Sequence, residues 1–527
     1  MQLNNGKTDI GIFMAVLSNH YMNRGILMNQ KKRALALLLA FCMPAVPACS
    51  EKAADAADGS AKTSSEITAP TVENEEVPDV SEEPDPLADA LPEKDMGGWT
   101  FRMSIFGNGA IRAETYAEEM NGNVVNDAVY TKIANVEDRF NVDIVLTEAC
   151  LDDGNDQAVL LKSIAAGEDS CEIAQGHDIS MANASLEGDF INVYDLPYLD
   201  FEKPWWPDAT LESMTVLGQM YLMFNNISCE NLTATRVMYF NKSLMTDMGL
   251  DYPYQTVYEG GWTLDELRKL SDSAYIDLNG NGKRDAHDQY GFVSPTYFYC
   301  CMEPFCLEPY CKDENGGLYY SMDVERTSEL VEKFYNLLFG EGGFKNSYDT
   351  VVKLFTDGRA MFDYSTLGDA VNKFNVSEVV YGILPMPKLN EGQDQYYGGS
   401  TDRPIAVPIT MDPGNMDGIG IIVEALNAEG YKNVYPAVYE ITMKNRYADQ
   451  TDDAKMLDII HDNTIISFTY LFGNFASAYN KLFETLFNAG TPSTDVASWE
   501  AANNKLQTKY VEKLMKFFTA HADEANP

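Results

Sequence analysis

The chain has few basic residues and few histidines. It carries 38 lysines and arginines against 80 aspartates and glutamates, a formal net charge of −42, and only five histidines. Because nucleic acids and anionic lipid surfaces are polyanions, this charge excludes both as partners. The scarcity of histidine leaves few bases for a mechanism in which histidine activates a nucleophile.

Catalytic and cofactor-binding motifs are absent as well. The sequence contains no H-E-x-x-H, no G-x-S-x-G, no phosphate-binding P-loop and no dinucleotide-binding glycine fingerprint. We therefore expect a protein that is not an enzyme. Paired carboxylates arise easily in so acidic a chain, and they leave a secreted glycosidase-like enzyme open as an alternative.

The sequence also has no apolar run long enough to make a typical membrane-spanning helix. The run Ala34 to Ala48 follows basic residues 31–33, but it is short for a helix that must cross ~30 Å of hydrocarbon. A basic flank, an apolar segment and small residues in this order predict a secretion signal over residues 28–49. The Ala48-Cys49 end resembles the lipobox of bacterial lipoproteins, in which Cys49 would carry the lipid and become the mature N-terminus. An ordinary signal peptide and an uncleaved anchor are the alternatives, and we interpret residues 1–27 as an over-extended reading frame before Met28.

Large apolar residues are almost missing from residues 50–96, which are rich in Ala, Ser, Pro, Asp and Glu. Such a segment buries too little surface to offset its ordering entropy, so it predicts a disordered acidic tether. Folded structure is expected from Trp99 onward, because Trp99, Phe101, Met103 and Ile105 alternate as in a strand.

Strand and helix patterns alternate after this first strand. A helix is predicted from a cap at Asn126-Asp127 to Phe140, followed by a strand from Val142 to Leu146, a helix over 158–166 and a short strand over 172–174. This alternation indicates an α/β lobe with a mainly parallel sheet. Ligands bind such sheets where strands end and loops begin.

Two segments of this lobe are candidates for ligand contact. The loop after the last of these strands carries His177, Asp178 and Ser180, and an ordinary polar loop is the competing interpretation. Trp205 and Trp206 are adjacent, so one could pack in the core while the other offers its face to a sugar ring or a cation. Simple packing of both is the alternative.

Residues 277–288, DLNGNGKRDAHD, have the pattern of a calcium-binding loop. Glycine stands at loop position 6, where such a loop turns sharply, and oxygen-bearing side chains alternate around it, as a hard cation requires. An acidic turn without metal is the alternative. The predicted ligands of a structural calcium ion are Asp277, Asn279, Asn281, the backbone carbonyl of Lys283, Asp285 and Asp288.

The cysteines do not form a recognisable metal motif. Cys300, Cys301, Cys306 and Cys311 are close together but lack paired C-x-x-C knuckles, so we expect disulfides or buried thiols in preference to zinc.

The order of several segments resembles the extracellular solute-binding proteins of family 1, the receptor subunits of bacterial ABC importers. The resemblance covers nearly all of the region after Trp99. It is carried by NVVNDAVYTKIANVEDRFNVDI, LPYLDFEKPWW, MYFNKSLM, GGWTLDEL, DLNGNGKRDAHDQYGF, YGILPMPK and KNRYADQTDDAKMLDII.

This resemblance implies an α/β protein with the type II periplasmic-binding-protein fold, in which two discontinuous lobes are joined by a hinge around a ligand cleft. Lobe one would comprise residues 97–238 and 350–380, and lobe two residues 239–349 and 381–527, including C-terminal helices. The segments that cross between lobes would be Tyr239 to Lys242, a return near 340–351, and a crossing near 381–387.

The resemblance also implies ligand-facing positions. The loop with His177, Asp178 and Ser180 is similar to one that contacts sugar in relatives, and Ser365 and Thr366 follow a strand where relatives place a contact. Asp402 and Arg403 precede a strand of the facing lobe and could together bind vicinal hydroxyls or a carboxylate, with a surface ion pair as the alternative.

The function implied is that of a lipid-anchored extracellular receptor that captures an oligosaccharide by cleft closure and delivers it to the permease subunits of an ABC importer. We expect a monomer that contacts the membrane only through its anchor. A glycosidase-like enzyme, a peptide-binding receptor and a surface scaffold protein remain as alternatives.

Overall fold

The computed structural model describes residues 87–105, 112–147, 156–296, 302–374, 377–400, 403–444, 450–473, 480–488 and 490–525. The predictions for residues 1–27, the signal at 28–49, the lipidated Cys49 and most of the tether lie outside these residues. The tether prediction is wrong for residues 87–96, because Leu91 and Met96 pack against the core that contains Phe101 and Asp89 pairs with Arg139 at 2.7 Å. Asp402, Cys300 and Cys301 also lie outside them.

The strands form two main sheets and two small ones. In chain order they are β1 (Trp99–Ile105), β2 (Val142–Leu146), β3 (Ile173–Gln175), β4 (Arg236–Asn241), β5 (Tyr290–Pro295), β6 (Tyr310–Lys312), β7 (Leu318–Tyr320), β8 (Gly343–Asn346), β9 (Ala360–Thr366), β10 (Tyr381–Leu384), β11 (Gly398–Gly399), β12 (Ile405–Ala406) and β13 (Thr464–Ile465).

Helices separate most of these strands. They are α1 (Val124–Phe140), α2 (Asp156–Ala165), α3 (Asp178–Glu187), α4 (Asp208–Met214), α5 (Glu230–Thr233), α6 (Lys242–Asp247), α7 (Tyr254–Tyr258), α8 (Leu264–Asp272), α9 (Val324–Phe339), α10 (Tyr348–Thr356), α11 (Gly368–Asn372), α12 (Met416–Glu429), α13 (Tyr435–Lys444), α14 (Gln450–Asp462), α15 (Phe468–Phe472), α16 (Asn480–Phe487) and α17 (Val496–Ala525).

The first lobe is built around the sheet β12–β3–β1–β2. β1 pairs in parallel with β2 and β3, and β12 pairs antiparallel with β3. Phe101, Met103 and Ile105 of β1 are buried, as the alternating pattern predicted. The cap of α1 is Asn123, whose side chain accepts hydrogen bonds from the backbone of residues 125 and 126, so this helix begins slightly earlier than predicted.

The second lobe is built around the sheet β10–β4–β9–β5–β8. β5 is parallel to β8 and β9, whereas β4 is antiparallel to β9 and β10. Each lobe therefore combines a mixed sheet with covering helices, and the first lobe takes β12 from a distant part of the chain. The predicted fold class, an α/β protein of two discontinuous lobes, is confirmed.

The predicted boundaries of the lobes need correction. Residues 350–380 belong to the second lobe, because β9 lies between β4 and β5 in the second sheet. Tyr239 lies within β4 and β10 extends the same sheet, so the crossings predicted at 239–242 and 381–387 are wrong. β12 and α12 instead belong to the first lobe, where Ile405 and Ile419 join the core that contains Phe101.

The chain crosses between lobes in a small ladder that we call the crossing sheet, formed by Thr235, residues 398–400, and β13. Thr235 bridges Ser400, and β11 pairs in parallel with β13. A Cβ atom placed on Gly398 would lie 3.0 Å from Thr464 Oγ1 and 3.2 Å from Thr235 Cγ2. One placed on Gly399 would lie 3.0 Å from Glu303 Oε2 instead, so consecutive residues face opposite sides of this sheet.

No helix in the described parts of the chain is both long and apolar enough to cross a membrane.

Candidate functional site

The junction between β3 and α3 places His177 and Asp178 at the carboxyl end of a parallel strand. Asp178 is buried, accepts a hydrogen bond from Ile179 N at 2.6 Å and lies 2.8 Å from His177 Nδ1. The hydrogen bond to this carboxylate raises the pKa of His177, whose side chain is about half exposed. Ser180 follows in the first turn of α3 and is partly buried.

Arg403 reaches the same junction from the strand-like segment before β12. Its backbone carbonyl accepts a hydrogen bond from Gln175 at the end of β3, and its Nη1 lies 2.6 Å from Glu230 Oε1. The sequence-predicted residues Asp178 and Arg403 are thus brought into one region, and Glu230 is the acidic partner of Arg403 that the structure describes. Glu230, at the start of α5, was not predicted from the sequence.

Burial dominates the electrostatics of this cluster. Desolvation raises the pKa of Glu230, against the opposing effect of Arg403, and Asp178 adds a repulsive charge. Glu230 Oε2 is buried without a hydrogen-bond partner among the described residues. Desolvation, reinforced by the charge of Glu230, raises the pKa of Glu114 to about 8. Arg403 and the nearby side chains of Thr233 and Asn372 partly oppose this rise in the pKa of Glu114, and Asn372 belongs to the second lobe.

A second group of charges lies on the second-lobe side of the crossing sheet. Arg236, the first residue of β4, is buried, and Glu303 is 1% exposed. Desolvation raises the pKa of Glu303 to about 8, and Arg236 partly opposes this rise. Neither carboxylate oxygen of Glu303 makes a well-formed hydrogen bond within the described residues. Burying such a group without a donor costs about 1–3 kcal/mol, so Glu303 is ready to accept one.

Ser365 and Thr366 lie at the end of β9, as predicted, but Ser365 does not face a ligand. It is 1% exposed and donates its hydroxyl hydrogen bond to Asp369, which also accepts one from Tyr348. Ser365 therefore orients Asp369, and its prediction as a direct contact is wrong in this structure. Thr366 is partly buried, and its carbonyl accepts a hydrogen bond from Tyr239.

The adjacent tryptophans are both core residues. Trp205 is 0% and Trp206 2% exposed, and their indole N–H groups donate to the two carboxylate oxygens of Glu424 at 2.8 and 2.9 Å. The prediction that one of them faces a ligand is therefore wrong. Both indoles are needed to satisfy a carboxylate on α12, and desolvation raises the pKa of Glu424 to about 7.

The loop over residues 277–288 folds as a tight acidic turn. Asp277 accepts hydrogen bonds from Gly280 N and Gly282 N at 2.7 and 2.8 Å, and both glycines have positive φ angles. Asp285 accepts from His287 N and Asn281 Nδ2, and these contacts lower the pKa of Asp285 to about 2. The turn at Gly282 is where the calcium-loop pattern requires it.

The donor set of this loop is compatible with calcium in part. Asp288 is fully buried, and its Oδ1 has no hydrogen-bond partner among the described residues. Asn281 Oδ1 accepts from Lys283 N at 2.6 Å, and Asn279 Oδ1 accepts from Asn281 N at 3.0 Å. Counting only His, Cys, Asp and Glu, the described chain holds no group of three placed to bind a metal. An ion here would depend on the asparagine and backbone oxygens as well.

None of the cysteines within the described ranges forms a disulfide. Cys171 and Cys229 are buried, Cys311 is partly buried and Cys306 is exposed. Cys311 Sγ donates to the carbonyl of Glu308 at 3.2 Å.

The sequence matches no protein-family model and no curated protein. The structure is similar to an ABC substrate-binding protein from Listeria monocytogenes solved with cycloalternan, at 13% identity over 77% of this chain and 98% of that one, with a TM-score of 0.49. It is also similar to a family 1 extracellular solute-binding protein from Bifidobacterium longum subsp. infantis, at 13% identity over 80% and 100% of the two chains and a TM-score of 0.46. A third similar structure is UgpB from Mycobacterium tuberculosis in complex with glycerophosphocholine, at 13% identity, 80% and 99% coverage and a TM-score of 0.49.

Proposed function

We propose that this chain is an extracellular solute-binding receptor that captures an oligosaccharide between its lobes and passes it to the permease of an ABC importer. The observation that carries the proposal is the convergence of Asp178, Glu230, Arg403 and Glu114 at the carboxyl end of β3, beside the crossing sheet. This edge of a mixed α/β sheet is where ligands bind in open-sheet proteins.

The chemistry of these groups suits a ligand rich in hydroxyl groups. The orphan oxygen of Glu230 and the two unpaired oxygens of Glu303 would accept hydrogen bonds from sugar hydroxyls. The guanidinium of Arg403 is held against Glu230 through Nη1, and a planar guanidinium matches the spacing of vicinal hydroxyls. A hydrogen bond from the ligand to each of these buried oxygens would offset part of the free energy lost when the oxygen is removed from water.

Closure of the lobes supplies the mechanism. The crossing sheet connects the two lobes, and Glu114 of the first lobe lies near Asn372 of the second. A solute that contacts both lobes would favour the closed arrangement by its differential affinity for it. No covalent step is required.

The remaining parts of the proposal concern the cell surface. We infer that Cys49 carries a lipid, that residues 50–86 hold the folded body away from the membrane, and that the receptor is a monomer on the outer face. A structural calcium ion in the loop 277–288 is part of the same proposal.

A glycosidase-like enzyme is the second candidate. It is favoured by one observation, the raised pKa of Glu114 beside Glu230, because general acids of glycosidases are carboxyls held neutral at neutral pH. Binding alone and turnover are distinguished by analysing the bound sugar for shortened products.

The deciding experiment is a thermal-shift and calorimetric screen of the full-length chain against di- to tetrasaccharides, with di- and tripeptides as the alternative set. A receptor should show a melting temperature raised by at least one oligosaccharide, since binding to the native state stabilises it by mass action, and the sugar should be recovered intact. Stabilisation by peptides alone would favour a peptide-binding receptor over a sugar-binding one. Recovery of cleaved sugar would favour the glycosidase-like enzyme over the receptor. Absence of any shift across both sets would remove the receptor proposal.

A further inference from the structure

A cavity of about 500 Å³ lies between the lobes and is separate from the candidate site. Asp208 and Thr210 of α4 form its first-lobe wall, and His461 and Asp462 at the end of α14 form its second-lobe wall. Thr235 and Thr464 of the crossing sheet form its floor. The cavity is therefore lined by elements of both lobes.

The crossing sheet separates this cavity from the charged cluster around Arg236 and Glu303. Thr235 lines the cavity, and because it lies directly before Arg236 in extended chain, the two side chains point to opposite faces. The neighbouring segment agrees with this arrangement. The Cβ direction of Gly398 meets Thr235 and Thr464, whereas that of Gly399 meets Glu303. We call the cavity lined by Thr235 and Thr464 the rear cavity.

Aromatic rings form one side of the rear cavity. Tyr431 and Tyr435 both line it and are stacked, with ring centroids 5.8 Å apart and an interplanar angle of 20°. His461 meets the Tyr435 ring edge-on at 4.6 Å, and the Tyr435 hydroxyl is 2.8 Å from that of Tyr439. These contacts fix the rings in place at the wall of the cavity.

The charges around these rings are negative. Asp208 and Asp462 line the rear cavity, and the residues described as lining it include no lysine or arginine. Asp462 Oδ1 lies 3.0 Å from His461 Nδ1, which leaves its Oδ2 for a ligand. Lys203 and Lys432 lie outside it, over the ring of Trp205, and Lys432 is 3.8 Å from Glu429. The faces of tyrosine rings also carry negative electrostatic potential. The carboxylates and the ring faces thus both favour a positively charged ligand.

We propose that the rear cavity is a binding site for an organic ammonium cation. Such a cation gains a cation–π contact with Tyr431 or Tyr435 and a charge-assisted hydrogen bond to Asp208 or to Oδ2 of Asp462. A neutral molecule of the same shape gains only packing and ordinary hydrogen bonds, and an anion is repelled. Because both lobes line the cavity, the bound cation contacts both of them.

Isothermal titration calorimetry of the full-length chain tests this site with putrescine and its uncharged analogue 1,4-butanediol. We expect one putrescine per chain at physiological salt, bound at least tenfold more tightly than the diol. Equal binding of the two compounds, or no putrescine binding at millimolar concentration, would overturn the proposal.

Variants distinguish a specific binding site from general electrostatic attraction of a cation to an acidic protein. Asp462→Asn and Tyr435→Leu should each weaken putrescine binding at least fivefold. Glu391→Gln makes the same charge change at an exposed position elsewhere and should leave binding unchanged. An equal loss of putrescine affinity in Glu391→Gln would show diffuse electrostatic attraction and would contradict a specific binding site. Should Tyr435→Leu fail to fold, Asp462→Asn decides the matter, because that side chain is 72% exposed and its replacement leaves the core intact.

Discussion

Lys242 Nζ lies 3.0 Å from Asp453 Oδ2, and the two side chains are 1% and 0% exposed. Asp453 also accepts hydrogen bonds from the Tyr254 hydroxyl at 2.7 Å and from Ile383 N at 3.0 Å. Lys242 begins α6, Asp453 lies in α14 and Ile383 lies in β10, so these contacts fasten α14 to α6 and to β10 and thereby fix the helix that ends at the rear cavity.

Removing the lysine should be costly. Lys242→Met leaves a buried carboxylate without its counter-charge, and we expect the free energy of unfolding to fall by about 3–5 kcal/mol in urea titrations. The exposed pair of Lys269 and Glu266 provides the control, and Lys269→Met should cost less than about 1 kcal/mol. Similar losses in the two variants would contradict the structural role of the buried pair.

The pH dependence of stability should contain a contribution from Glu424. Burial, the largest effect, raises its folded-state pKa from 4.5 to about 7, so the folded state binds the proton more tightly than the unfolded state. This contribution is fully present below pH 4.5 and is lost as the pH rises to about 7, a difference of roughly 3 kcal/mol.

Comparison with Glu424→Gln isolates that contribution. The variant should be less stable overall, because its amide places an N–H group against one indole N–H. The fall in stability between pH 5 and pH 7.5, measured by urea denaturation, should be smaller in the variant than in the natural protein. Parallel pH profiles would show that Glu424 is not the titrating group.

Two glycines should differ in their tolerance of a methyl group. A Cβ on Gly399 meets the flexible end of Glu303 at 3.0 Å, so Gly399→Ala should cost about 1–3 kcal/mol and displace that carboxylate. A Cβ on Gly291 would lie 1.9 Å from the carbonyl oxygen of Ser271, and the backbone there has little freedom to move. Gly291→Ala should therefore destabilise much more strongly in the same urea assay, and the reverse order would contradict the packing described.

Ligand affinity should depend on Arg403. In Arg403→Gln the donors that recognise hydroxyls are reduced and Glu230 loses its counter-charge, so we expect at least a tenfold rise in Kd for the oligosaccharide found in the screen. Ser365→Ala should change the affinity less, because Ser365 acts only through Asp369. Calorimetry on both variants and on Glu391→Gln measures this difference, and an unchanged Kd in Arg403→Gln would remove Arg403 from the site.

Calcium should stabilise the loop 277–288 if the proposed ion binds there. Chelation should lower the melting temperature of the natural protein, because at a hundredfold excess over Kd a ligand adds about 2.7 kcal/mol to the native state. Asp285→Asn should abolish the response to calcium. Asp313 supports a similar turn by accepting hydrogen bonds from Asn315 N and Gly317 N, so Asp313→Asn is the matched control and should keep the response. A melting temperature insensitive to chelation would remove the calcium proposal.

Local patterns in the sequence were sufficient for the elements of the first lobe. β1 and β2 have the predicted bounds, because alternating burial along a strand is encoded by neighbouring residues. The same reasoning placed Asp178 at the end of a parallel strand, and the structure adds Arg403 to the same region.

Long-range pairing was the part that local patterns could not supply. Arg403 meets Glu230 across 173 residues of sequence, and Glu424 meets Trp205 across 219. Nothing near Trp205 in the sequence shows that its N–H has a buried acceptor, so packing and ligand contact were indistinguishable. The assignment of β9 and β12 to the wrong lobes has the same cause, since strand partners are set by the whole sheet.

The position of β12 has a consequence for biosynthesis. β3 pairs on one side with β1 and on the other with β12, whose residues follow it by about 230 positions. At about 10 residues per second, a ribosome finishes β3 roughly 20 s before it makes the strand that completes its edge. During this interval β3 is itself an edge strand with unpaired backbone groups, and such an edge is a known template for aggregation. A nascent chain of this design therefore benefits from being kept unfolded until β12 has been synthesised.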